Sequence, residues 1–588
     1  MINITINGKA LEVEQGTTIL EAAEMVNIKI PTLCYNPDLS PWSSCGICIV
    51  RLAGSAKMVR ACCTACEPNM NIITHDSEII ATRRVVLELI LSNHPDDCLQ
   101  CPRNQSCELQ QLAAEFGLRE APYKKVLNDV PVDDSNPAIV LCPEKCIRCG
   151  RCVKVCQDVQ NVWALEFVGR GIKGKIASAA DAPLGESPCI KCGQCAAHCP
   201  VGAIYERDDT VKVWKALLDS SLHQVVQIAP AVRVALAEEF GLEPGKVFTK
   251  KIYAALRRLG FKTVFDTNFS ADLTIMEEGT ELVKRLTEKG TIPLITSCCP
   301  AWVDYMEKYY SDMIPNFSTA KSPQQMMGAM IKAYWTGKAG VDPAKVYSVS
   351  VMPCTAKKWE IRRNDDMKSA SKALGADVGY DVDIVITTRE LARMIKQAGI
   401  EILKLDDEEA DSPLGPYTGA ATIFGVTGGV MEAAVRSAYY LVTKKELPDV
   451  NYKPARGLEG VKEGEVDFGN GTKIRIAVAH QMGNIAAVLD KIRKARDAGK
   501  EPPYHFVEVM ACRGGCIAGG GQPYGCTDDI RKQRASGIYS DDEKSQYRCS
   551  HHNPFITQVY KEFLGEPNGH KAHELLHTKY VELPLYSK

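Results

Sequence analysis

The chain begins with side chains that alternate between apolar and polar, and a helical pattern follows within the first thirty positions. Residues 2–6 read Ile-Asn-Ile-Thr-Ile, and an Asn-Gly pair at 7–8 predicts a type I′ turn into a second strand at 11–13. Thr18 followed by Glu21 is the pattern of a capping box, which predicts that a helix begins there. The chain therefore opens with strand, turn, strand and helix.

Downstream the pattern divides the chain into further segments. Residues 79–118 are predicted to be mostly helical, and a linker with Pro and Asp follows at 131–137. A Cys-rich block occupies 142–200. From about 210 onward, apolar runs rich in β-branched residues alternate with amphipathic helices, which is typical of parallel sheets flanked by helices. These runs are VVQIAP, PLITSCC, YSVSVMPC, DIVITT and IRIAVA.

Composition is ordinary for a soluble, multidomain α/β protein of 588 residues, with 45% hydrophobic and 24% charged residues. The net charge of -2 gives no reason to expect a nucleic-acid partner or an anionic membrane surface. The acidic run at 406–409 is interpreted as a solvated loop. We find no signal peptide, transit peptide or twin-arginine run before the first strand, and no run of 18 apolar residues. We therefore expect a cytoplasmic protein without membrane insertion.

Cysteine is the residue whose usage departs from average, with 25 in the chain. The number is odd and many lie in CxxC steps, which argues against a secreted disulfide framework. Thiolates at these spacings are typical metal ligands in a reducing compartment.

The first cysteine set follows the predicted N-terminal hairpin and helix, an order that resembles a plant-type ferredoxin domain. Its spacing, C-x10-C-x2-C-x13-C, suits a 2Fe-2S cluster, with one CxxC loop and a distant fourth ligand. Cys63 and Cys66 lie close to the fourth position, so they remain alternatives to the favoured ligand there. The favoured ligands are Cys34, Cys45, Cys48 and Cys62.

The second set places a histidine four residues before a CxxC, in the pattern H-x3-C-x2-C-x5-C. One imidazole and three thiolates would suit tetrahedral zinc. Among the other iron–sulfur motifs we prefer a 4Fe-4S cluster with one His ligand. The ligands are His94, Cys98, Cys101 and Cys107.

The third set is a doubled C-x2-C-x2-C-x3-C, which is specific for bacterial two-cluster ferredoxins, in which the fourth Cys of each run binds the other cluster. Pro200 follows the second run as expected, whereas Gln157 stands at that position in the first. One 4Fe-4S cluster is predicted on Cys146, Cys149, Cys152 and Cys199, and the other on Cys156, Cys189, Cys192 and Cys195.

Between the two runs lies a literal GxGxxG at Gly169, Gly171 and Gly174. Because it lies in a short insertion between cluster ligands rather than at a strand-to-helix turn, we interpret it as a hairpin. We recognise no dinucleotide or flavin motif elsewhere, so any nicotinamide chemistry is expected to belong to a partner.

Three segments of the second half, TSCCPAW, MPCTAKK and EVMACRGGCIAGGGQP, resemble the active-site signatures of iron-only (FeFe) hydrogenases. Together with the upstream sets, the resemblance extends over essentially the whole chain and matches the long, multi-cluster form of that family. It implies five parts: a β-grasp 2Fe-2S domain at 1–78, a helical His/Cys3 domain at 79–125, a two-cluster ferredoxin domain at 140–208, an α/β catalytic domain at 210–549, and a short helical tail at 550–588 that resembles the family's separate small subunit.

The resemblance also implies an H-cluster, a 4Fe-4S cluster joined to a diiron unit that carries CO, CN and azadithiolate. Its ligands would be Cys299, Cys354, Cys512 and Cys516, with Cys516 as the bridge. The total would be one 2Fe-2S cluster, three 4Fe-4S clusters and the H-cluster. Because such a diiron unit has few protein bonds, shape and weak polar contacts must hold it. Lys357 could donate to a cyanide, and a dry, polarizable wall could come from Ala229, Pro230, Met352 and Met510, although the methionines could equally be ordinary core residues.

Proton transfer needs a group near the diiron unit, and the free thiol of Cys298 beside Cys299 is the candidate. Glu278 and Glu281 fall on one face of a predicted helix, and Ser318 offers a hydroxyl between them. A solvated helix face would explain the two glutamates alone. By the resemblance, the relay runs Cys298, Glu278, Ser318, Glu281 towards solvent.

The remaining thiols and histidines carry weaker signals. Cys63, Cys66, Cys142, Cys526 and Cys549 are expected to be inert, although Cys526 and Cys549 could supply a further ligand. The tail histidines suggest zinc only weakly, and helices that wrap the catalytic domain are preferred; these residues are His551, His552, His570, His573 and His577.

The expected reaction is the reversible oxidation of dihydrogen to protons and electrons. The upstream wiring resembles that of respiratory NADH dehydrogenase, which predicts flavin- and NAD(P)-binding partner subunits, and electron bifurcation with ferredoxin as a second carrier. A monomeric, ferredoxin-dependent enzyme is left open. The alternative function is a non-catalytic electron-wiring or redox-sensing subunit of a dehydrogenase complex such as a formate dehydrogenase, and the three signature segments argue against it.

Overall fold

The computed structural model describes residues 1–120, 122–127, 130–469 and 473–587. Chain contacts divide it into two compact units, and the second also takes up one short segment from the two-cluster motif. The first unit consists of Met1–Ser187 and Gln194–Tyr205, and the second of Pro188–Gly193 and Glu206–Lys588.

The first unit opens with the predicted strand, turn, strand and helix. Strands Ile2–Ile6 and Lys9–Val13 are antiparallel, and Ile6 and Ile72 pair in the parallel strand beside them. The helix Ile19–Met25 begins with the capping box expected from Thr18 and Glu21. The sheet is completed by strands Ile49–Leu52, Met58–Arg60 and Asn71–Ile73.

The rest of the first unit is built from short elements that surround the cysteine motifs. The GxGxxG segment forms the predicted hairpin, with antiparallel strands Glu166–Val168 and Lys175–Ala177. A further two-stranded sheet joins Ile139–Leu141 and Ile204–Glu206. The helices are Ser77–Leu91, Glu108–Glu115, Arg151–Lys154 and Gln194–His198.

The second unit contains two four-stranded sheets covered by helices. The first sheet is entirely parallel, in the order Thr263–Asp266, His223–Ile228, Val346–Met352, Ile384–Thr387. The second has the order Leu294–Ile295, Phe506–Met510, Lys473–His480, Val461–Asp467. Its edge pair is antiparallel, so the expectation of parallel sheets holds for one sheet and for only part of the other.

Helices cover these sheets and bury three apolar clusters. The long helix Thr267–Thr287 packs against Gly429–Thr443, and the tail contributes two short helices, Pro554–Val559 and His570–Leu576. Among the described residues, no helix combines the length and apolar character needed to cross a membrane. The other helices are Thr210–Leu218, Thr249–Leu259, Pro300–Tyr309, Pro323–Met330, Thr336–Ala339, Lys357–Glu360, Ser369–Leu374, Thr388–Gln397, Gly419–Thr422, Met482–Asp497 and Asp528–Lys544.

Candidate active site

The carboxyl ends of four parallel strands, two from each sheet of the second unit, lead into one internal cavity. Loops at the carboxyl ends of parallel strands are the usual place for ligand sites in α/β folds. Strand His223–Ile228 is followed by Ala229 and Pro230, and strand Val346–Met352 is followed by Cys354. In the second sheet, Leu294–Ile295 is followed by Cys298 and Cys299, and Phe506–Met510 by Cys512.

The cavity has a volume of about 80 Å³ and brings together the residues that the three sequence segments single out. All four expected thiolate ligands line it, together with Cys298, Lys357 and both predicted methionines. Ala229 and Pro230 form part of the same wall. The thiolate candidates are Cys299, Cys354, Cys512 and Cys516.

The cavity wall is apolar, and this decides the electrostatics of the thiols. Burial raises the pKa of Cys354 to about 12, and the neighbouring Cys299 adds to the rise. Burial likewise raises the pKa of Cys299 and of Cys512. Four thiols that share one apolar cavity are therefore costly to ionise together, unless a cation or metal cluster balances the thiolates.

Among the residues that the structure describes, Lys357 is the one lysine on this cavity wall. Its Nζ donates to the Cys298 carbonyl oxygen at 3.2 Å and to Glu360 Oε2 at 2.9 Å. Burial alone would lower the pKa of Lys357, but the charge and hydrogen bond of Glu360, together with the charges of Cys354 and Cys298, raise it on balance. Lys357 is therefore a charged donor at the rim of the cavity.

Gln324 and Phe424 also line the cavity, and the sequence analysis gave neither a role. Gln324 Nε2 donates to Glu360 Oε2 at 3.1 Å, and Ser350 Oγ donates to Gln324 Oε1 at 3.0 Å. Gln324 thus helps to hold the carboxylate that pairs with Lys357. Its only signal in the sequence was a place in the polar SPQQ segment.

The four residues of the expected proton relay lie near one another. Cys298 is half-buried on the cavity wall. Its pKa is raised well above the ordinary value, first by loss of solvation and then by the charge of Glu278. Burial raises the pKa of Glu278 to about 8, and the charge of Glu281 adds to the rise. Ser318 Oγ donates to Glu281 Oε2 at 3.0 Å, and it also acts on Glu278, whose pKa it lowers.

At its outer end this series meets an arginine. Arg285 Nη2 donates to Glu281 Oε1 at 2.6 Å, and both side chains are 14% exposed. The C-terminal tail covers the same place, since Tyr580 donates from its hydroxyl to the Ser318 carbonyl oxygen at 2.8 Å. The series therefore leads from a thiol on the cavity wall to a partly exposed carboxylate.

Comparisons with known proteins agree with this arrangement. The family model described as "Iron only hydrogenase large subunit, C-terminal domain" matches residues 222–520, and "Iron hydrogenase small subunit" matches 528–582. Upstream, the matches are "2Fe-2S iron-sulfur cluster binding domain" at 1–77, "NADH-ubiquinone oxidoreductase-G iron-sulfur binding region" at 83–122 and "4Fe-4S dicluster domain" at 145–205.

Whole-chain relatives extend the match. The chain is 44% identical over 594 residues to "NADP-reducing hydrogenase subunit HndD" of Solidesulfovibrio fructosivorans, with 99% of each chain covered. It is 41% identical over 590 residues to "Iron hydrogenase 1" of Clostridium pasteurianum, with 99% of this chain and 100% of the relative covered. The chain belongs to the iron-only (FeFe) hydrogenase family. The solved structure of a variant of [FeFe]-hydrogenase HydA1 from Chlamydomonas reinhardtii is 42% identical in sequence and matches with a TM-score of 0.56. The match covers 64% of this chain and 99% of the HydA1 chain.

The residues of this FeFe hydrogenase fit the H-cluster that its family implies. Four thiol ligands line a single cavity, its wall is apolar, and the one lysine on that wall is charged. An organometallic centre with few protein bonds needs this combination of thiolates, shape and a positioned donor.

The 2Fe-2S motif is assembled in the first unit. The thiols of Cys45 and Cys62 contact that of Cys34, and Cys48 contacts Cys62. Cys63 is exposed, and its thiol lies 2.9 Å from Ser43 Oγ. Cys66 is buried in the same apolar core as Cys48 and Cys62, so the contacts of Cys62 with Cys34 and Cys48 are what distinguish it. The geometry supports Cys62 as the fourth ligand.

The His/Cys3 motif shows a ring nitrogen left free for a ligand. His94 Nδ1 is buried and has no hydrogen-bond partner among the described residues. Burial lowers the pKa of His94 to about 4, which keeps the ring neutral as metal binding requires. Cys101 acts on the pKa of the buried Cys107, and Cys98 is exposed.

One of the two predicted ferredoxin-like ligand sets lies entirely in the first unit. Its four thiols line a cavity of about 20 Å³ together with isoleucine side chains, and burial raises the pKa of Cys146 to about 11. The four are Cys146, Cys149, Cys152 and Cys199. In the other set, Cys156 and Cys195 belong to the first unit and Cys189 and Cys192 to the second, where Cys192 lines the catalytic cavity.

Proposed function

We propose that this FeFe hydrogenase carries out the reversible oxidation of dihydrogen at an H-cluster held by Cys299, Cys354, Cys512 and Cys516. The observation that carries the proposal is the convergence of these four thiols on one apolar cavity that also contains Cys298 and Lys357. When bound, the H-cluster supplies the cleavage and formation of dihydrogen. Side chains of the protein carry out proton transfer and hold the cluster in place.

Proton transfer is assigned to the series Cys298, Glu278, Ser318, Glu281. Glu278, with its pKa near 8, can be protonated or ionised around neutral pH, which suits a group that both takes and gives protons. Ser318 relays through a hydroxyl that can donate and accept. Arg285 holds Glu281 at the outer end.

Lys357 is proposed to hold the cyanide side of the diiron unit, with Glu360 keeping the lysine charged. Ala229, Pro230, Met352 and Met510 would exclude water from the cavity. Water exclusion strengthens the polar contacts that remain.

Electrons are proposed to pass through three 4Fe-4S clusters and one 2Fe-2S cluster, in the order of the motifs towards the N-terminus. Cys192 supports this path, because it belongs to the two-cluster motif and lines the catalytic cavity. The implied parts are the 2Fe-2S domain at 1–78, the His/Cys3 domain at 79–125 (residue 121 lies outside the described residues), the two-cluster domain at 140–208, the catalytic domain at 210–549 and the tail at 550–588.

The acceptors are proposed to be flavin- and NAD(P)-binding partner subunits and ferredoxin, with electron bifurcation between them, in the cytoplasm. A relative whose name is "NADP-reducing hydrogenase subunit" and the match to an NADH-ubiquinone oxidoreductase iron–sulfur region support a complex. Native purification tests this: flavin-bearing subunits should copurify, and a monomer that reduces ferredoxin alone would contradict the assembly.

The activity is tested on chain matured with an H-cluster. We expect hydrogen uptake with an artificial acceptor, together with infrared bands of metal-bound CO and CN. The Cys354→Ser and Cys516→Ser variants should lose both. Uptake without such bands, or such bands that persist in both variants, would contradict the assigned ligands.

A further inference from the structure

Four potential metal ligands that do not line the catalytic cavity converge where the C-terminal segment meets a loop of the catalytic part. They are a thiol, two imidazoles and a carboxylate, and their ligand atoms all lie within 4.8 Å of one another. Three of them lie within four consecutive residues of the C-terminal segment, at the short helix Ser550–His552 and the residue before it. The four residues are Glu446, Cys549, His551 and His552.

The two imidazoles point the same nitrogen at the same oxygen. His551 Nε2 lies 3.3 Å and His552 Nε2 lies 3.0 Å from Glu446 Oε1. The two rings stand edge to face, with centroids 4.3 Å apart. This arrangement leaves a small space bounded by nitrogen, oxygen and sulfur atoms.

His551 is held in place from behind. Its ring stacks on Tyr440 at 4.3 Å between centroids and 6° between planes, and its Nδ1 lies 3.1 Å from Ser437 Oγ. A hydroxyl that accepts from Nδ1–H fixes the tautomer whose Nε2 lone pair is free for a metal. Metal-binding histidines commonly have such a partner behind the ring.

The four potential ligands differ in how deeply they are buried. Cys549 is 3% exposed and the side chain of His551 is 4% exposed. The side chains of His552 and Glu446 are 43% and 48% exposed, so an ion can reach the site from solvent. A tetrahedral zinc ion with bonds of about 2.0–2.3 Å needs ligand atoms roughly 3.3–3.8 Å apart, which small side-chain rotations would reach.

We propose that Glu446, Cys549, His551 and His552 bind one zinc ion. Binding replaces the proton of the Cys549 thiol with the metal, and that proton goes to solvent. Four protein ligands fill the tetrahedral positions, which is the pattern of a structural rather than a catalytic zinc site. Thiolate and imidazole ligands favour zinc over magnesium or calcium.

The site would join two parts of the chain. Glu446 lies within residues 222–520, matched by the large-subunit model, and the other three lie within 528–582, matched by the small-subunit model. The loop that carries Glu446 follows the helix Gly429–Thr443, which packs against the long helix bearing Glu278 and Glu281. The zinc would therefore link the C-terminal segment to the pair of helices that positions Glu278 and Glu281.

The test measures zinc in the full chain purified without maturation, so that it does not depend on hydrogenase activity. Wild type should retain about one zinc per chain through dialysis against a chelator. Zinc-edge X-ray absorption, which iron clusters do not contribute to, should show one sulfur and three lighter ligands. Zinc with a shell of four sulfurs would mean a misloaded cluster site and would overturn the proposal.

Variants localise the metal. Cys549→Ser and His552→Gln should each lower zinc retention at least about tenfold. Cys526→Ser and the exposed His570→Gln are matched controls and should retain it. Because Cys549 is buried, Glu446→Gln serves as the variant at an exposed position, with zinc affinity expected to fall while circular dichroism stays unchanged. Equal zinc content in wild type and in Glu446→Gln, Cys549→Ser and His552→Gln would overturn the site.

Discussion

The hydroxyl of Ser318 donates a 3.0 Å hydrogen bond to Glu281 Oε2, and the same hydroxyl acts on the buried carboxyl of Glu278. A single side chain thus lies between two carboxylates that differ in burial. Glu278 is fully buried, and neither of its oxygens meets a well-placed donor in the described part of the chain. A hydroxyl between two such groups can pass a proton from one to the other by rotating.

Replacing Ser318 by Ala should slow turnover about 100-fold, because it removes the only hydroxyl in the proposed relay. Hydrogen uptake and evolution are measured on matured enzyme, with infrared spectra to show that CO and CN bands are unchanged. Thr319→Val is the matched control, since Thr319 Oγ1 pairs with His577 Nδ1 at 2.8 Å. Equal rates in Ser318→Ala and wild type would remove Ser318 from the path.

Glu278 should be protonated at pH 7 and ionise near pH 8, because burial and the charge of Glu281 both raise its pKa. Difference infrared spectra across a pH titration should show a carboxylic acid C=O band that disappears above pH 8. The band should be absent in Glu278→Gln. In Glu281→Gln its midpoint should move to lower pH, because one cause of the shift is removed; a midpoint that stays or rises would contradict the coupling.

Replacing Glu360 by Gln should lower activity, roughly tenfold, and make it fall more steeply at alkaline pH. Burial alone lowers the pKa of Lys357, and the charge and hydrogen bond of Glu360 are the largest contributions that raise it. Without that charge Lys357 loses its proton as pH rises, and with it the positive donor at the cavity. The pH profile and the cyanide stretching bands are compared with those of Glu401→Gln, a surface glutamate paired with Lys404. Matching profiles would contradict the role of Glu360.

The sequence predicted individual elements and candidate ligand residues more completely than it predicted contacts between distant residues. The capping box at Thr18, the hairpin at the GxGxxG and the β-branched runs all depend on neighbours close in sequence, so local pattern was enough. The antiparallel edge strand Val461–Asp467 did not follow from such a pattern, because its charged residues give a weak apolar signal and pairing is set by the partner strand.

The candidate site could be predicted wherever chemistry fixed the residue type. Cysteines at the spacing typical of the family predicted residues of the cavity wall. The polar Gln324 and the apolar Phe424 also line the cavity, but neither belongs to a motif. The Glu446–His552 contact joins positions 106 apart, and only the packed C-terminal segment brings them together. Long-range contacts of this kind require the fold.

A side chain at Gly202 should displace the thiol of Cys101, because a Cβ there would lie 2.3 Å from Cys101 Sγ. In Gly202→Ala the thiol must move, and the proposed His/Cys3 cluster should be lost or altered. Iron content and the electron paramagnetic resonance of the reduced chain measure this. Gly337→Ala, whose Cβ meets nothing within 4 Å, is the control. An unchanged cluster signal in Gly202→Ala would argue against Cys101 as a ligand.

Gly520 holds the segment of Cys192 against the catalytic cavity. A Cβ on Gly520 would lie 2.5 Å from the Cys192 carbonyl oxygen and 2.7 Å from Gly193 Cα, and neither is the end of a flexible side chain. The segment is also fixed by Thr355 Oγ1, which donates to the Lys191 carbonyl oxygen at 2.7 Å. An alanine at 520 must therefore push the two backbones apart.

In Gly520→Ala we expect electron transfer to slow while proton handling stays intact. Hydrogen uptake with an external acceptor should fall at least several-fold, because electrons must leave through the clusters near Cys192. Exchange of dihydrogen with deuterated water needs the proton relay but no electron exit, so it should continue at close to the wild-type rate. Ser318→Ala should instead impair exchange together with uptake, because both need the proton relay. Parallel loss of both activities in Gly520→Ala would indicate damage to the cavity itself, and would contradict a specific role for this contact in electron transfer.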